Sequence, residues 1–460
     1  MQKQLFWKCL SLFVLGLMLL IPLGMIESTV AERSHFREEA VNQVAANSAR
    51  AQTLIGPLLV LPVFEEYDEE ISEGEGEARR TRLVRRTRNR DVFVFPRKLT
   101  LEGGLNVEQR AYGLHQVAVF DLKGQLSGQF DPPAESDLPK PGRNGAVRWG
   151  APRLVLGLSD PRGLISEPKI KLGGSDLSPA RGTGLGGMKN GFQAAIPHAV
   201  AGLTQSLPFR IELRLAGTES FGLVPLADQT VASLSSNWAH PSFGGGFLPR
   251  ERQVDEQGFR ATWSVSALAA NVQRDILNQP GRANEATPSS GSVEEQNSFR
   301  VRLIDPVDIY RLSLRATKYG VLFVVLTFAA FFMFENLRSL PIHPVQYGLV
   351  GLALAIFFLL LLSLSEHVGF AWAYLVAALA SSGLITAYLA AVLRGWKPAL
   401  AFGSGLGLLL GALFGVLLSE QNALLLGSLL LFAALAALML GTRSIDWYRL
   451  KPALQANAEA

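Results

Sequence analysis

The stretch "LLLLSLSEHVGFAWAYL" (359–375) sets Glu366 and His367 between two apolar runs. Whether that pair lies inside a membrane or at a turn decides the fold, and length gives the answer. From Tyr347 to Leu393 the chain is apolar apart from Ser365-Glu366-His367 and a few small polar residues. As one helix rising about 1.5 Å per residue it would reach about 70 Å, more than twice a bilayer core of about 30 Å. The spacing predicts a hairpin of two spans, 347–364 and 370–393, with Glu366 and His367 at its tip, open to water and without a proton-transfer role.

Four further uncharged runs lie outward from this hairpin: 9–26 (CLSLFVLGLMLLIPLGMI), 319–334 (YGVLFVVLTFAAFFMF), 399–418 and 423–441, the last two parted by Ser419-Glu420-Gln421-Asn422. Six spans are predicted, preceded by residues 1–8 and followed by a tail at 442–460. Basic residues near span ends stay cytoplasmic. The N-terminus, the 335–346 and 394–398 loops and the tail hold eight of them (Lys3, Lys8, Arg338, Arg394, Lys397, Arg443, Arg449, Lys451), and the 365–369 and 419–422 turns hold none. Both termini are therefore expected in the cytoplasm and residues 27–318 on the outer side. Arg311, Arg315 and Lys318 are then outside, which long translocated domains tolerate. "STVA" (28–31) offers a signal-peptidase site, but the apolar run before it exceeds the usual core of about 7–15 residues. The run is expected to stay as an anchor, with a helix continuing over about 28–54 until Gly56-Pro57 stops it.

The chain is 48% hydrophobic and 18% charged, with the charge concentrated in 27–318. That segment reads mainly as strand. "DVFVFPRKLTLEGGLNVEQRAYGLHQVAVFDLKGQLSGQF", "PFRIELRLAG" and "FRATWSVSAL" alternate apolar and polar residues between Gly and Pro punctuation, the period of half-buried strands. A membrane protein with a six-helix transmembrane part and a large, mainly β, sandwich-like outer domain is the expected class. Two weak boundaries stand at 132–150 and at the polar linker 275–298. A charge run at 65–90 places eight acidic residues before seven arginines; paired as a hairpin, the two blocks face and neutralise one another. An anion-binding surface is the alternative, which the acidic block opposes. Cys9 is the lone cysteine, so no internal disulfide forms. The net charge of +4 gives no reason to invoke nucleic acid.

Chemical motifs are sparse. "GTGLGG" (182–187) has the G-x-G-x-x-G spacing without a strand-to-helix setting and reads as a loop. The histidines at 35, 115, 198, 240, 343 and 367 show no metal spacing, although His115, His198 and His240 remain free to converge in space. No G-x-S-x-G elbow or paired carboxylates stand out. No catalytic, cofactor or metal residue is assigned, and an enzyme is not expected. On the fifth span Gly403, Gly407, Gly411 and Gly415 recur every four residues, a stripe that admits a close helix. Its partner is either another span, with Ala380-Ser381-Ser382-Gly383 on offer, or a second copy in a homodimer. The two C-terminal hairpins repeat Pro344, Gly351, Ser365 and Glu366 as Pro398, Gly405, Ser419 and Glu420 at a constant offset, which fits either a duplication or two hairpins of equal length. In the outer domain, Trp238, His240 and Phe243 within "SNWAHPSFGGGFLP" (236–249) are interrupted by Pro241 and followed by three glycines. The segment reads as a loop whose aromatics either plug the sandwich or contact a partner.

"LFWKCLSLFVLGLMLLIPLGMI" (5–26), "LIGPLLVLPV" (54–63), "SNWAHPSFGGGFLPRERQVDEQGFRATW" (236–263), "RATKYGVLFVVLTFAAFFMFENL" (315–337), "HPVQYGLVGL" (343–352), "LLLLSLSEHVGF" (359–370) and "IDWY" (445–448) together resemble the family of the cell envelope integrity inner-membrane protein CreD. The resemblance runs from the first span past the last; 65–90 and 275–298 fall outside it. It implies a Gram-negative inner-membrane protein with a periplasmic outer domain, tied to envelope integrity, colicin tolerance and the CreBC two-component response. It brings no catalytic residues, so binding of a periplasmic partner or envelope component is expected. A transporter or channel, or a membrane enzyme acting on lipid or peptidoglycan, stands as the alternative. The bilayer itself is the one partner the sequence names directly.

Overall fold

The computed structural model describes residues 2–73, 80–113, 115–133, 138–139, 141, 144–186, 188–197, 205–270, 272–273, 297–304, 309–338, 342–419 and 422–443. Glu420, His198, most of the 275–298 linker and the tail beyond Arg443 lie outside them. The chain divides into two compact units: Met1–Glu39 with Val307–Ala460, and Ala40–Pro306.

The first unit is helical. It holds most of α1 (Gln2–Asn47), then α2 (Ile309–Arg338), α3 (Pro344–Val368), α4 (Phe370–Val392), α5 (Trp396–Leu418) and α6 (Ala423–Thr442). Five of these are long and apolar enough to cross a membrane; in α6 the described apolar stretch is shorter, Leu425–Ala436. Helix is the form such sequences must take in lipid, because it satisfies every backbone group internally. α2 starts well before the apolar run at 319, since hydropathy marks the buried part of a helix and not its first turn. Pro344 opens α3 at a position where its missing N–H costs nothing. There the His343 ring accepts from the Val345 N–H and the Gln346 side chain accepts from the His343 N–H.

The hairpin tip differs from expectation. Ser365-Glu366-His367 stays helical, and the turn shrinks to Gly369, whose φ of +80° a glycine adopts without strain. Aromatics hold this unit together: Tyr347, Phe323, Phe331, Phe357 and Phe358 are all buried, with Phe331 and Tyr347 rings 4.5 Å apart.

The second unit is a mixed two-sheet fold. One sheet runs β14 (Pro241–Gly245), β17 (Phe299–Leu303), β12 (Ser220–Val224), β1 (Gln52–Glu73), β6 (Arg153–Leu158), β10 (Gly191–Ala195), β9 (Pro179–Arg181), with β2 (Arg80–Val94) and β5 (Ala146–Trp149) also on β1. The other runs β15 (Glu251–Asp255), β16 (Gly258–Ser266), β13 (Gln229–Ser236), β3 (Lys98–Tyr112), β4 (His115–Phe130), β11 (Leu207–Thr218), β7 (Lys169–Leu172), β8 (Ser175–Leu177). Alternation supplies the core: Leu99, Leu101, Leu122, Leu126, Ile211 and Leu234 from the second sheet meet Leu59, Leu154, Leu156, Phe221 and Phe299 from the first. Trp263 stacks on Phe299 at 5.0 Å across the two sheets, which makes the unit sandwich-like as expected. Two pairings, β1 with β12 and β13 with β3, are parallel.

Three boundaries move. α1 ends at Asn47, short of Gly56-Pro57, because its last carbonyls find partners in the sheet unit. Arg162 donates to the Ala46 carbonyl at 2.6 Å, and Thr218 Oγ1 donates to the carbonyl of Ala49, just beyond the helix. β1 then runs straight through Gly56-Pro57 with a register shift between Ile55 and Leu58. The 132–150 stretch is no domain boundary, since β5 within it pairs with β1. The charge run does form the expected hairpin: β1 and β2 pair from Leu59↔Val94 to Glu73↔Arg80, and Arg85 meets Glu66 and Asp68 while Arg86 meets Glu69.

Candidate functional site

Within the segment singled out for partner contact, Pro241–Gly245 forms a strand where a loop was expected, while Trp238 and His240 lie in the irregular chain before it. β14 is the edge of its sheet and pairs antiparallel with β17, Phe243 opposite Val301. Proline is tolerated there because Pro241 is the first residue of an edge strand. Trp238, half-buried, donates its indole N–H to the carbonyls of His240 and Ile304, both at 3.1 Å. Phe243, also half-buried, meets Phe259 and Trp263 edge-on at 5.6 and 5.7 Å. The two aromatics thus pack on the core, and His240 is the exposed member of the three.

Among the described residues the glycine stripe meets the chain at one place only. A Cβ on Gly403 would collide with Thr386 on α4, whereas Gly407, Gly411 and Gly415 have nothing within 4 Å, like Gly405 outside the row. Helix geometry explains it: at about 3.6 residues per turn, positions four apart drift by about 40°, so the row turns away from α4 as it ascends α5. Packing against the described residues of the bundle does not account for the upper three glycines. The patch offered on α4 is not what Gly403 touches either, and Gly383 faces open space.

Two polar clusters in the helical unit were not legible beforehand. At one end the buried Glu335 of α2 pairs with Lys8 of α1 and accepts from Tyr347 Oη of α3 at 2.7 Å and from the Ile342 N–H at 3.4 Å. At the other, Glu366 of α3 accepts from Tyr310 Oη of α2 at 3.1 Å and lies 4.0 Å from Arg33 of α1. The arrangement is reciprocal: each of the antiparallel α2 and α3 gives a carboxylate at one end and a tyrosine at the other, and α1 gives the cation at both. Glu366 is therefore not open to water as expected; its side chain is 9% exposed, and of the pair His367 is the exposed member, its Nδ1 3.1 Å from the Ser363 carbonyl. Along α1, Lys8 and Arg33 stand about 37 Å apart, farther than the thickness of a hydrocarbon core of about 30 Å. Both clusters thus fit the headgroup levels, where burying a charge costs least. Glu335 follows an apolar run directly, and that position beside Lys8 at the head of the first span was the available signal.

The Gly-rich segment is structural. Gly182 and Gly184 take φ of +77° and +70°, and the turn lays Leu185 and Met188 over the second face of the first sheet, with Met188 against Gly157. It opens no helix. Among the described residues no three His, Cys, Asp or Glu side chains converge as a metal site.

At the junction of α1 and the sheets, the Asp160 carboxyl is electrostatically perturbed. Partial burial alone would raise its carboxyl pKa, but bonds from the Arg162 side chain and from the Arg50 and Arg162 N–H groups outweigh burial and hold it below the usual carboxylate range.

Compared with known proteins, the chain matches the family described as "Inner membrane protein CreD" over residues 4–448. It is 37% identical to the Inner membrane protein CreD of Escherichia coli (strain K12) over 460 residues, covering 100% of this chain and 97% of that protein. Among solved structures, an M1 zinc metallopeptidase from Deinococcus radiodurans is similar at 8% identity and a TM-score of 0.18, covering 37% of this chain and 38% of that one. Its substrate-bound variant gives a TM-score of 0.19 at 10% identity. Likeness at that level carries no argument about fold or activity.

Proposed function

The chain belongs to the family of the inner membrane protein CreD, and from that premise we propose that it is a non-enzymatic inner-membrane protein supporting envelope integrity. In this reading six helices cross the membrane, both termini are cytoplasmic, and the sheet unit stands in the periplasm and binds a partner or envelope component. Its part in colicin tolerance and the CreBC-linked response belongs to the same reading. The observation that supports it is the insertion of a two-sheet unit, Ala40–Pro306, between the first long apolar helix and the rest. A membrane anchor carrying so large a folded surface suits presentation of that surface at the membrane. A transporter would instead need ionisable groups at mid-depth, and the two described carboxylate clusters sit at the helix ends.

The test is photo-crosslinking in living cells from His240, the exposed residue of the β14 segment, and from positions spread over the second sheet. A specific adduct outside the chain, lost when the envelope phenotype is lost, is the expected result. Full complementation of a deletion strain by the helical unit alone would overturn the reading.

A further inference from the structure

The outward face of the second sheet carries a trough of about 690 Å³, within the roughly 300–1,000 Å³ of small-ligand sites. Strand register builds its charge pattern. One row of outward positions runs Arg260, Ser235, Gly104, Lys123 across β16, β13, β3 and β4. The next runs Ser233, Glu102, Gln125, Glu212 across β13, β3, β4 and β11. The first row is cationic at both ends over a floor without bulk, with Arg214 of β11 beyond Lys123; the second carries Glu102 and Glu212, with Lys169 of β7 opposite Glu212 at its far end. Two residues along a strand separate them by about 7 Å.

Two adjacent glycines on β3 behave differently. A Cβ on Gly103 would come 2.8 Å from a Leu234 methyl and 2.9 Å from a Leu122 methyl, so a side chain there would press into the core. On Gly104 the nearest atom would be Ser235 Oγ at 3.9 Å, and its φ is outside the left-handed region. Neither packing nor backbone conformation calls for glycine at 104, yet a mid-strand glycine weakens a sheet and is characteristic of close approach by another backbone. What its absent side chain leaves is an open floor between Arg260 and Lys123.

The charges around this floor are available. Arg214 beside them is held by Asp121, while among the described residues Arg260, Lys123, Glu102 and Glu212 form no ion pair with one another or with a neighbour. The lining holds no aromatic ring and only Leu213 and Leu234 as large apolar residues, which disfavours sugar stacking and acyl chains. Opposite charges in parallel rows match a zwitterion.

We propose that this trough binds a short peptide with free termini, its carboxylate between Arg260 and Lys123 above Gly104 and its ammonium group on Glu102. An extended peptide rises about 3.3 Å per residue, so two or three residues place its terminal charges about 7–10 Å apart, the spacing of the rows. The Ser233 and Ser235 hydroxyls and the Gln125 amide are placed to bond its peptide groups. This site is separate from the β14 segment and does not depend on the envelope role or on which side the unit faces.

The test uses the purified full chain in nanodiscs, titrated with trialanine, N-acetyl-trialanine and trialanine amide. Trialanine should bind in a salt-sensitive manner, and blocking either terminus should weaken binding about tenfold, as loss of a charge-assisted bond does. Arg260→Gln should erase the preference for a free carboxylate and leave the preference for a free amine; Glu102→Gln should do the reverse. Gly104→Leu, with its circular dichroism unchanged, should abolish binding by filling the floor. No binding of trialanine at millimolar concentration overturns the proposal, as does binding indifferent to both blocked termini or to Arg260→Gln and Glu102→Gln. Those two surface variants decide the matter if Gly104→Leu does not fold.

Discussion

At the residue scale, Asp160 and Glu335 each gather three elements, and neither stands out in the sequence. Asp160 joins the N–H of Arg50 to Arg162, which in turn caps α1 at Ala46. Its folded pKa lies below the unfolded value of about 3.9. Its stabilising contribution is therefore present above that pH and lost as pH falls through the depressed folded value. Asp160→Asn should cost about 2 kcal/mol near neutrality, the scale of a hydrogen bond to a charged group, and should flatten the stability profile below about pH 4. A profile unchanged in acid would show that the carboxylate is not the source. Glu335→Ala should lower the thermal midpoint in detergent more than Tyr347→Phe, because the first removes the carboxylate that pairs with Lys8 and accepts from Tyr347 and the Ile342 N–H, and the second removes one hydrogen bond. Equal midpoint losses would remove Glu335 as the centre of that cluster. Periodicity identifies which face of a helix is buried; it says nothing about which distant side chain waits there, and so both hubs escaped it.

At the element scale, chain order and charge pattern were readable where the signal is local. The acid and arginine blocks announced the β1–β2 hairpin, and alternation announced the strands around it. Strand β14 defeated the same logic, because an edge position excuses Pro241, Gly244 and Gly245, and edge position is a property of the whole sheet. Phe243→Ala should cost about 2 kcal/mol, less than the roughly 3–5 of a fully buried aromatic, since its ring is half-buried against Phe259 and Trp263. His240→Ala should leave stability within about 0.5 kcal/mol and is the clean probe of partner contact; a loss of stability at His240 would assign it to the fold. On α5, Gly403→Ile should disrupt the bundle where Gly411→Ile and Gly405→Ile do not, since only Gly403 faces Thr386. If Gly411→Ile leaves the monomer folded and changes the oligomeric state, the upper stripe serves a second copy; if it unfolds the monomer, the geometry of α5 is wrong.

At the scale of the whole molecule, the division into a helical unit and a sheet unit follows from composition alone, because lipid and water impose different patterns on the chain. What composition could not supply was where the charged ends of the helices meet. The reciprocal clusters at Glu335 and Glu366 set two levels on the α1–α2–α3 trio, and those levels make the orientation testable with residues the structure shows to be exposed. Glu366 itself is unsuitable, being covered by Tyr310 and Arg33. His367 beside it, Glu251 on β15 and Lys397 at the start of α5 are exposed. In a Cys9→Ser background, single cysteines at these positions separate the two sides. If basic loops are cytoplasmic, a membrane-impermeant maleimide should label His367→Cys and Glu251→Cys in intact spheroplasts, and Lys397→Cys only after lysis. Labelling of Lys397→Cys alone in intact cells would invert the orientation. Labelling of both His367→Cys and Lys397→Cys would mean that α4, between them, does not cross, and the six-span count would fall with it.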